Sequence, residues 1–94
     1  MLESLAQCTA LLETLLQNCS SMMLSDVGCA AALCAGALEA AAMNVFVNTK
    51  SLKGDQEAEA LALHVSQLLD GCLPRARAVS SQVLSLLREE DKNG

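Results

Sequence analysis

The side chains able to do chemistry gather at the two ends of one stretch of the sequence. Ser25 and Asp26 stand just before a run of Ala, Gly and Cys. A carboxylate there can move a proton or orient an N–H. Equally, either side chain can accept a bond from the free backbone N–H groups that open a helix. Beyond the run, Asn44 and Asn48 recur at i, i+4, so a helix puts both amides on one face. Buried amides must find partners, from a ligand or from a neighbouring helix backbone. Lys50 and Lys53 follow, either to meet carboxylates or to sit solvated at the negative end of a helix. Glu39 is the one charge inside the run. A lone buried acid is costly, so it reaches solvent or meets a cation from another helix. His64 has the only side chain that ordinarily titrates near neutral pH, and at the edge of an apolar seam it reads as a surface histidine.

The five cysteines are an odd number with no CxxC spacing. Cys29 and Cys34 are five apart and point to different faces of a helix. With no His or carboxylate at ligand spacing, no metal site is expected, and the thiols read as reduced core residues of a cytoplasmic protein. Six Lys and Arg are dispersed through a chain of net charge −5, which excludes a nucleic-acid footprint. The N-terminus shows no basic region or cleavage site of a signal peptide. The run Val27 to Val47 is long enough to cross a membrane. Its six strong apolar residues contribute roughly −3 kcal/mol, and Glu39 alone offsets that at about +3. Gly28, Gly36 and Asn44 then make insertion unfavourable, so no membrane partner is expected.

These groups need helices to position them. Ala, Leu and Ser dominate, with one Phe and no Tyr or Trp, which favours helix throughout. Leu5, Cys8, Leu12, Leu15, Cys19 and Met22 form a seam of helical period, widened by Leu11 and Leu16. It predicts a first helix from about Leu2 to Ser20. Ser25-Asp26 predicts the N-cap of a second, from about Val27 to Asn48. Its column Gly28, Ala32, Gly36, Ala40 lacks bulk, which lets another helix approach and places this helix centrally, buried on most sides. Lys50, Lys53 and Gly54 close it or the loop after it, and Asp55 caps a third helix. The third seam runs Leu61, Val65, Leu68, Cys72, Ala76, Val79, Val83, Leu86, with a kink or break expected near Gly71 and Pro74. The tail from Arg88 to Gly94 is expected to fray. The result is one all-α domain over residues 1–94: an antiparallel bundle with a central Ala/Gly-rich helix and a long, kinked C-terminal helix. With 52% hydrophobic residues, three or four short helices hide too little apolar surface, so a homo-oligomer is expected.

The polar punctuation of the second helix carries a resemblance. Ser25-Asp26-Val27-Gly28-Cys29-Ala30-Ala31, then Ala37-Leu38, then Asn44-Val45-Phe46-Val47-Asn48-Thr49-Lys50-Ser51, resembles the signature of the formiminotransferase-cyclodeaminase family, in order and without gaps. The family pattern begins with a Pro-Gly-Gly-Gly type turn and an Ala/Gly-rich helix in an N-terminal half that this sequence does not show. The resemblance therefore corresponds to the C-terminal half of the family domain, a truncated form.

The resemblance implies a folate-dependent one-carbon enzyme. Its reaction is closure of 5-formiminotetrahydrofolate to 5,10-methenyltetrahydrofolate with loss of ammonia, or hydrolysis of the methenyl ring. A tetrahydrofolate derivative is the substrate and no metal is needed. Asp26 is then the expected catalytic residue. Ser25, Asn44, Asn48 and Lys50 are the expected folate-binding set, with Lys50 and Lys53 facing the carboxylates of the folate tail. The alternative is a non-catalytic helical oligomerisation module. On the cysteines the sequence makes a direct prediction: thiol titration of freshly purified, unreduced protein in denaturant finds nearly five free thiols, and a stable intramolecular disulfide contradicts it.

Overall fold

The computed structural model describes the backbone of residues 1–18, 20 and 22–93, and side chains as far as residue 89 within that set. Three helices follow one another, α1 over Leu2–Asn18, α2 over Leu24–Lys50 and α3 over Gln56–Asn93, with no strand among the described residues. The all-α bundle expected from the sequence is the architecture found. At 1.5 Å per residue α3 is about 57 Å long, which sets the longest dimension of the molecule, 58 × 21 × 15 Å. A compact chain of this length has a radius of gyration of about 12 Å; here it is 16.2 Å. The bundle is therefore a thin slab, with α2 packed on both other helices and most extensively on α3.

The core is drawn from one side of each helix. From α2 come Val27, Ala31, Cys34, Ala35, Leu38, Ala41 and Ala42; from α3 come Val65, Cys72, Ala76 and Val79. Most of these side chains are small, so the helices approach closely. One close approach is at Gly28, where an added Cβ would lie 2.5 Å from Cγ1 of Val83. The stripe of α1 differs from its sequence seam. Leu2, Thr9 and Leu12 are buried and Leu5, Ala6 and Leu16 pack beside them, while Cys8, Leu11 and Leu15 are exposed. Thr9 enters the core because its hydroxyl donates to the Leu5 carbonyl of its own helix at 2.9 Å and lies 3.4 Å from the Cys34 thiol. Cys19 of the predicted seam lies outside the described residues.

Other expectations change at the helix ends. Ser25 and Asp26 are not the N-cap of α2. The cap is Met23, in helical conformation and with no side-chain capping bond, and Ser25 and Asp26 lie inside the first turn. Two backbone bonds lead into the helix, Met23 N–H to Ser20 O and Val27 N–H to Met23 O. Asp26 keeps its favourable place at the positive end of the dipole. Asp55 does cap α3, accepting from the N–H groups of Glu57 and Ala58 at 2.9 and 3.3 Å. Gly54 supplies the left-handed turn before it, φ 92°. The kink or break expected near Pro74 does not divide α3, which continues through it to Asn93, into the tail expected to fray. Asp70, Gly71 and Pro74 all face solvent, so water can take the carbonyl bond that proline leaves unmade.

The small-residue column is covered only at its start. Gly28 is buried against Val83, whereas Ala32, Gly36 and Ala40 are exposed, with open space around Gly36. The expectation that α2 is buried on most sides is thus corrected: three helices in a slab leave one long face of the middle one bare. By length and composition α2 could also cross a membrane, its most apolar window having a mean hydropathy of 1.7 with 33% of it buried in the chain. The core helix of a bundle meets the same criterion, and α2 has the core contacts of one.

Two glycines of opposite surroundings test this packing. Gly28→Ala gains helix propensity of about 1 kcal/mol but overfills the Val83 contact at roughly 1–3 kcal/mol, so thermal melts should show net destabilisation. Gly71→Ala, with nothing within 4 Å of its added carbon, should stabilise by about 0.5–1 kcal/mol. Equal effects of the two would contradict the close approach at Gly28.

Candidate functional site

Polar groups that hold the fold sort away from those that do not. Among the described residues, three polar side-chain pairs tie the helices together. Glu13 of α1 binds Arg75 of α3 through two nitrogens, Glu39 of α2 binds Arg77 of α3, and His64 of α3 lies 3.4 Å from Glu3 of α1. Glu39 therefore takes the cross-helix partner that its place in an apolar run demanded. These groups are spent on structure.

The expected site residues are not. Ser25 and Asp26 are exposed on the first turn of α2, and Asn44, Asn48 and Lys50 are exposed on its last two turns. Among the described residues their side chains make no hydrogen bond or ion pair. The bonds that close the end of α2 come from neighbours: Ser51 Oγ donates to Asn48 O at 2.8 Å and Thr49 Oγ1 to Phe46 O at 3.3 Å. The amides are thus not buried, and their open valences face solvent. The structure brings Asn44, Asn48 and Lys50 together at one end and Ser25 with Asp26 at the other. It does not unite the two groups. From Asp26 to Asn44 is about 27 Å along the helix and to Lys50 about 36 Å. Lys53 is exposed in the loop after α2.

Two apolar grooves flank the bare face of α2. One, of ≈ 310 Å³, lies between α2 and α3 and is lined by Ser25, Gly28, Cys29, Ser80, Val83 and Leu84 among others. The other, of ≈ 400 Å³, lies between α1 and α2 and includes Leu5, Cys8, Leu11 and Leu33. Both are shallow for a ligand site and nearly free of polar atoms. Ser25 alone of the expected set reaches a groove, and its neighbours there, Cys29 and Ser80, carried no signal in the sequence because α2 and α3 meet only in the fold. A third recess, between α1 and α3, is polar and contains Glu13, Thr14, Gln17, Arg75 and Gln82. Its charges already neutralise each other. Among the described residues no group of three His, Cys, Asp or Glu is placed to hold a metal. Cys8, Cys29, Cys34 and Cys72 are free thiols, Cys8 and Cys29 exposed.

Fold and site define a class: an all-α bundle whose unspent polar groups lie at the two ends of its small-residue middle helix. The chain belongs to the formiminotransferase-cyclodeaminase family, whose model matches residues 1–89. No curated protein and no solved structure matches it.

The polar recess has a testable titration. The Glu13 carboxyl is held below its ordinary value, chiefly by the Arg75 hydrogen bond and also by the Arg75 charge, with desolvation opposing. A depressed carboxylate contributes stability above its unfolded pKa, and that contribution is lost as pH falls through the lowered folded value. Glu13→Gln should therefore melt below the parent at pH 7. The two should converge on acidification through the carboxylate range and approach each other in high salt. A difference that persists unchanged in acid would show that the pair does not titrate in this way.

Proposed function

We propose that the chain is a folate-dependent one-carbon enzyme of the cyclodeaminase or cyclohydrolase type, working in the cytoplasm on a tetrahydrofolate derivative and as an assembly of copies. Family membership over nearly the whole chain supports the folate reading. The observation that carries it to particular residues is the exposed, unpartnered state of Asp26, Ser25, Asn44, Asn48 and Lys50. Polar side chains that neither cap nor bridge are available to a ligand.

Ring closure of a formimino group onto N10 forms one C–N bond and breaks another. N10 attacks the formimino carbon and loses its proton, and the tetrahedral carbon then expels the formimino nitrogen, which must gain protons to leave as ammonia. Asp26 is the group suited to take the N10 proton and return one to the departing nitrogen. Ser25 would orient the pterin, and Asn44 and Asn48 would offer both donors and acceptors to it. Lys50 would meet the carboxylates of the tail. No metal takes part in this scheme.

One folate cannot span the two ends of a single α2, so the reading requires assembly. The second reading, a helical association module without catalysis, is favoured by the bare apolar face itself: Leu33, Met43 and Val47 are 76%, 62% and 70% exposed.

The deciding experiment is conversion of 5-formimino- or 5,10-methenyltetrahydrofolate by the associated protein, alone and with an N-terminal half of the family domain supplied. Asp26→Asn removes the charge while leaving the helix intact. It should lower turnover about 10²- to 10⁴-fold, the usual worth of a general acid–base, with circular dichroism unchanged. Full turnover in Asp26→Asn rejects the catalytic role. Failure of every assembly to bind a tetrahydrofolate favours the association module.

A further inference from the structure

Two thiols from different helices share one groove. Cys8 of α1 and Cys34 of α2 both line the apolar recess of ≈ 400 Å³ between those helices. Cys34 is buried there, and its Sγ lies 3.5 Å from the Leu5 carbonyl oxygen and 3.4 Å from the Thr9 hydroxyl. Leu5 and Thr9 bracket Cys8 on α1. In a helical turn a short side chain can fold back onto the carbonyl three residues before it. This chain does so with Thr49 on Phe46, Ser51 on Asn48 and Ser80 on Arg77, at 3.3, 2.8 and 3.0 Å. Cys8 stands three residues after Leu5. The same turn of its side chain lays its sulfur against the oxygen that Cys34 already approaches, and the groove leaves room for it.

We propose that Cys8 and Cys34 are a peroxide-responsive thiol pair that closes to a disulfide between α1 and α2. Exposure assigns the roles. Cys8 is exposed, so hydrogen peroxide or a small organic hydroperoxide meets it first. The O–O bond breaks, the Cys8 sulfur keeps one oxygen as a sulfenic acid, and the other leaves as water, or as an alcohol from an organic hydroperoxide. The Cys34 sulfur then attacks that of Cys8. An S–S bond forms, the S–O bond breaks, and the hydroxyl departs as water with the Cys34 proton. Two thiols are oxidised and one peroxide is reduced.

The other described thiols lack this arrangement. Cys29 is equally exposed, but its groove offers the hydroxyls of Ser25, Ser80 and Ser81 and no second thiol among the described residues. Cys72 is buried on α3 and lines neither apolar groove. Cys8 and Cys34 are far apart in sequence, so only the packing of α1 on α2 brings them into one recess. Both are free in the reduced chain, and the bond is its response to oxidant. It adds a covalent tie where α1 otherwise holds α2 by packing and by the contacts of Thr9 and Leu5 with Cys34. The pair is independent of the folate reading, and either can fail without the other.

The test treats the native chain with a few equivalents of hydrogen peroxide near neutral pH. Remaining thiols are then alkylated in denaturant and the peptides are mapped without reduction. The monomer should lose the mass of two hydrogen atoms, and one peptide pair should join position 8 to position 34. Dithiothreitol should reverse both. Closing a loop of this length should also shift the melting temperature upward by several degrees. Cys34→Ala should leave Cys8 as a sulfenic acid that dimedone traps. Cys8→Ser, a change at an exposed position, should leave Cys34 open to alkylation after peroxide. A link joining a different pair overturns the proposal, as does peroxide treatment that leaves both thiols free to alkylate. So does an 8-to-34 link in protein that melts below the reduced chain, because the bond would then form only by disrupting the fold.

Discussion

Everything in this fold depends on how closely α2 and α3 approach, and that is set where Gly28 meets Val83. A Cβ at position 28 would sit 2.5 Å from the valine methyl, so only glycine permits the two helix axes to come this near. The rest of the seam follows the same rule. Ala31, Ala35, Ala41 and Ala42 share one core with Ala76, Val79 and Cys72, and short side chains on both helices let the backbones come close. Close approach compensates for small volume: few large side chains are fully buried, Leu38 among them.

The same economy of bulk leaves α2 short of cover. Helices α1 and α3 take two sides of it, and a slab of three helices has no element for the third. The bare side carries several polar groups that stability does not use. Glu39 is drawn into a bridge with Arg77, and Glu13 and His64 into bridges between α1 and α3. Asp26, Asn44, Asn48 and Lys50 are left facing outwards. Stability and candidate chemistry thus occupy opposite faces of one helix. A substitution on the outward face has little in this chain to disturb.

Under the proposed function this division is useful, since a folate enzyme would need proton-moving and amide groups on a rigid element. A helix locked along one side by alanine packing is such an element, and its outward residues inherit that rigidity. The two ends of that helix, at Asp26 and Lys50, are about 36 Å apart, so within a single chain their groups do not meet.

Much of this was legible in the residues. The three helices, the Asp55 cap, the Gly54 turn and the core positions Val65, Cys72, Ala76, Val79 and Val83 all follow from periodicity and local hydrogen bonding, which act between residues a few positions apart. The polar signature that names the family is local in the same sense. What the sequence could not decide was which side of each helix meets a neighbour. Thr9 is buried because its hydroxyl finds Leu5 and Cys34. Cys8, Leu11 and Leu15 are bare because α1 leans on α2 and α3 by its other edge. Ser25 and Asp26 lie within the first turn because backbone bonds at Ser20 and Met23 start α2 earlier than its side chains suggest. Pro74 leaves α3 whole because its missing bond faces water. Each is settled by where a second helix lies, and that depends on contacts between residues far apart in the chain, such as Gly28 with Val83 or Glu13 with Arg75, which no local pattern encodes.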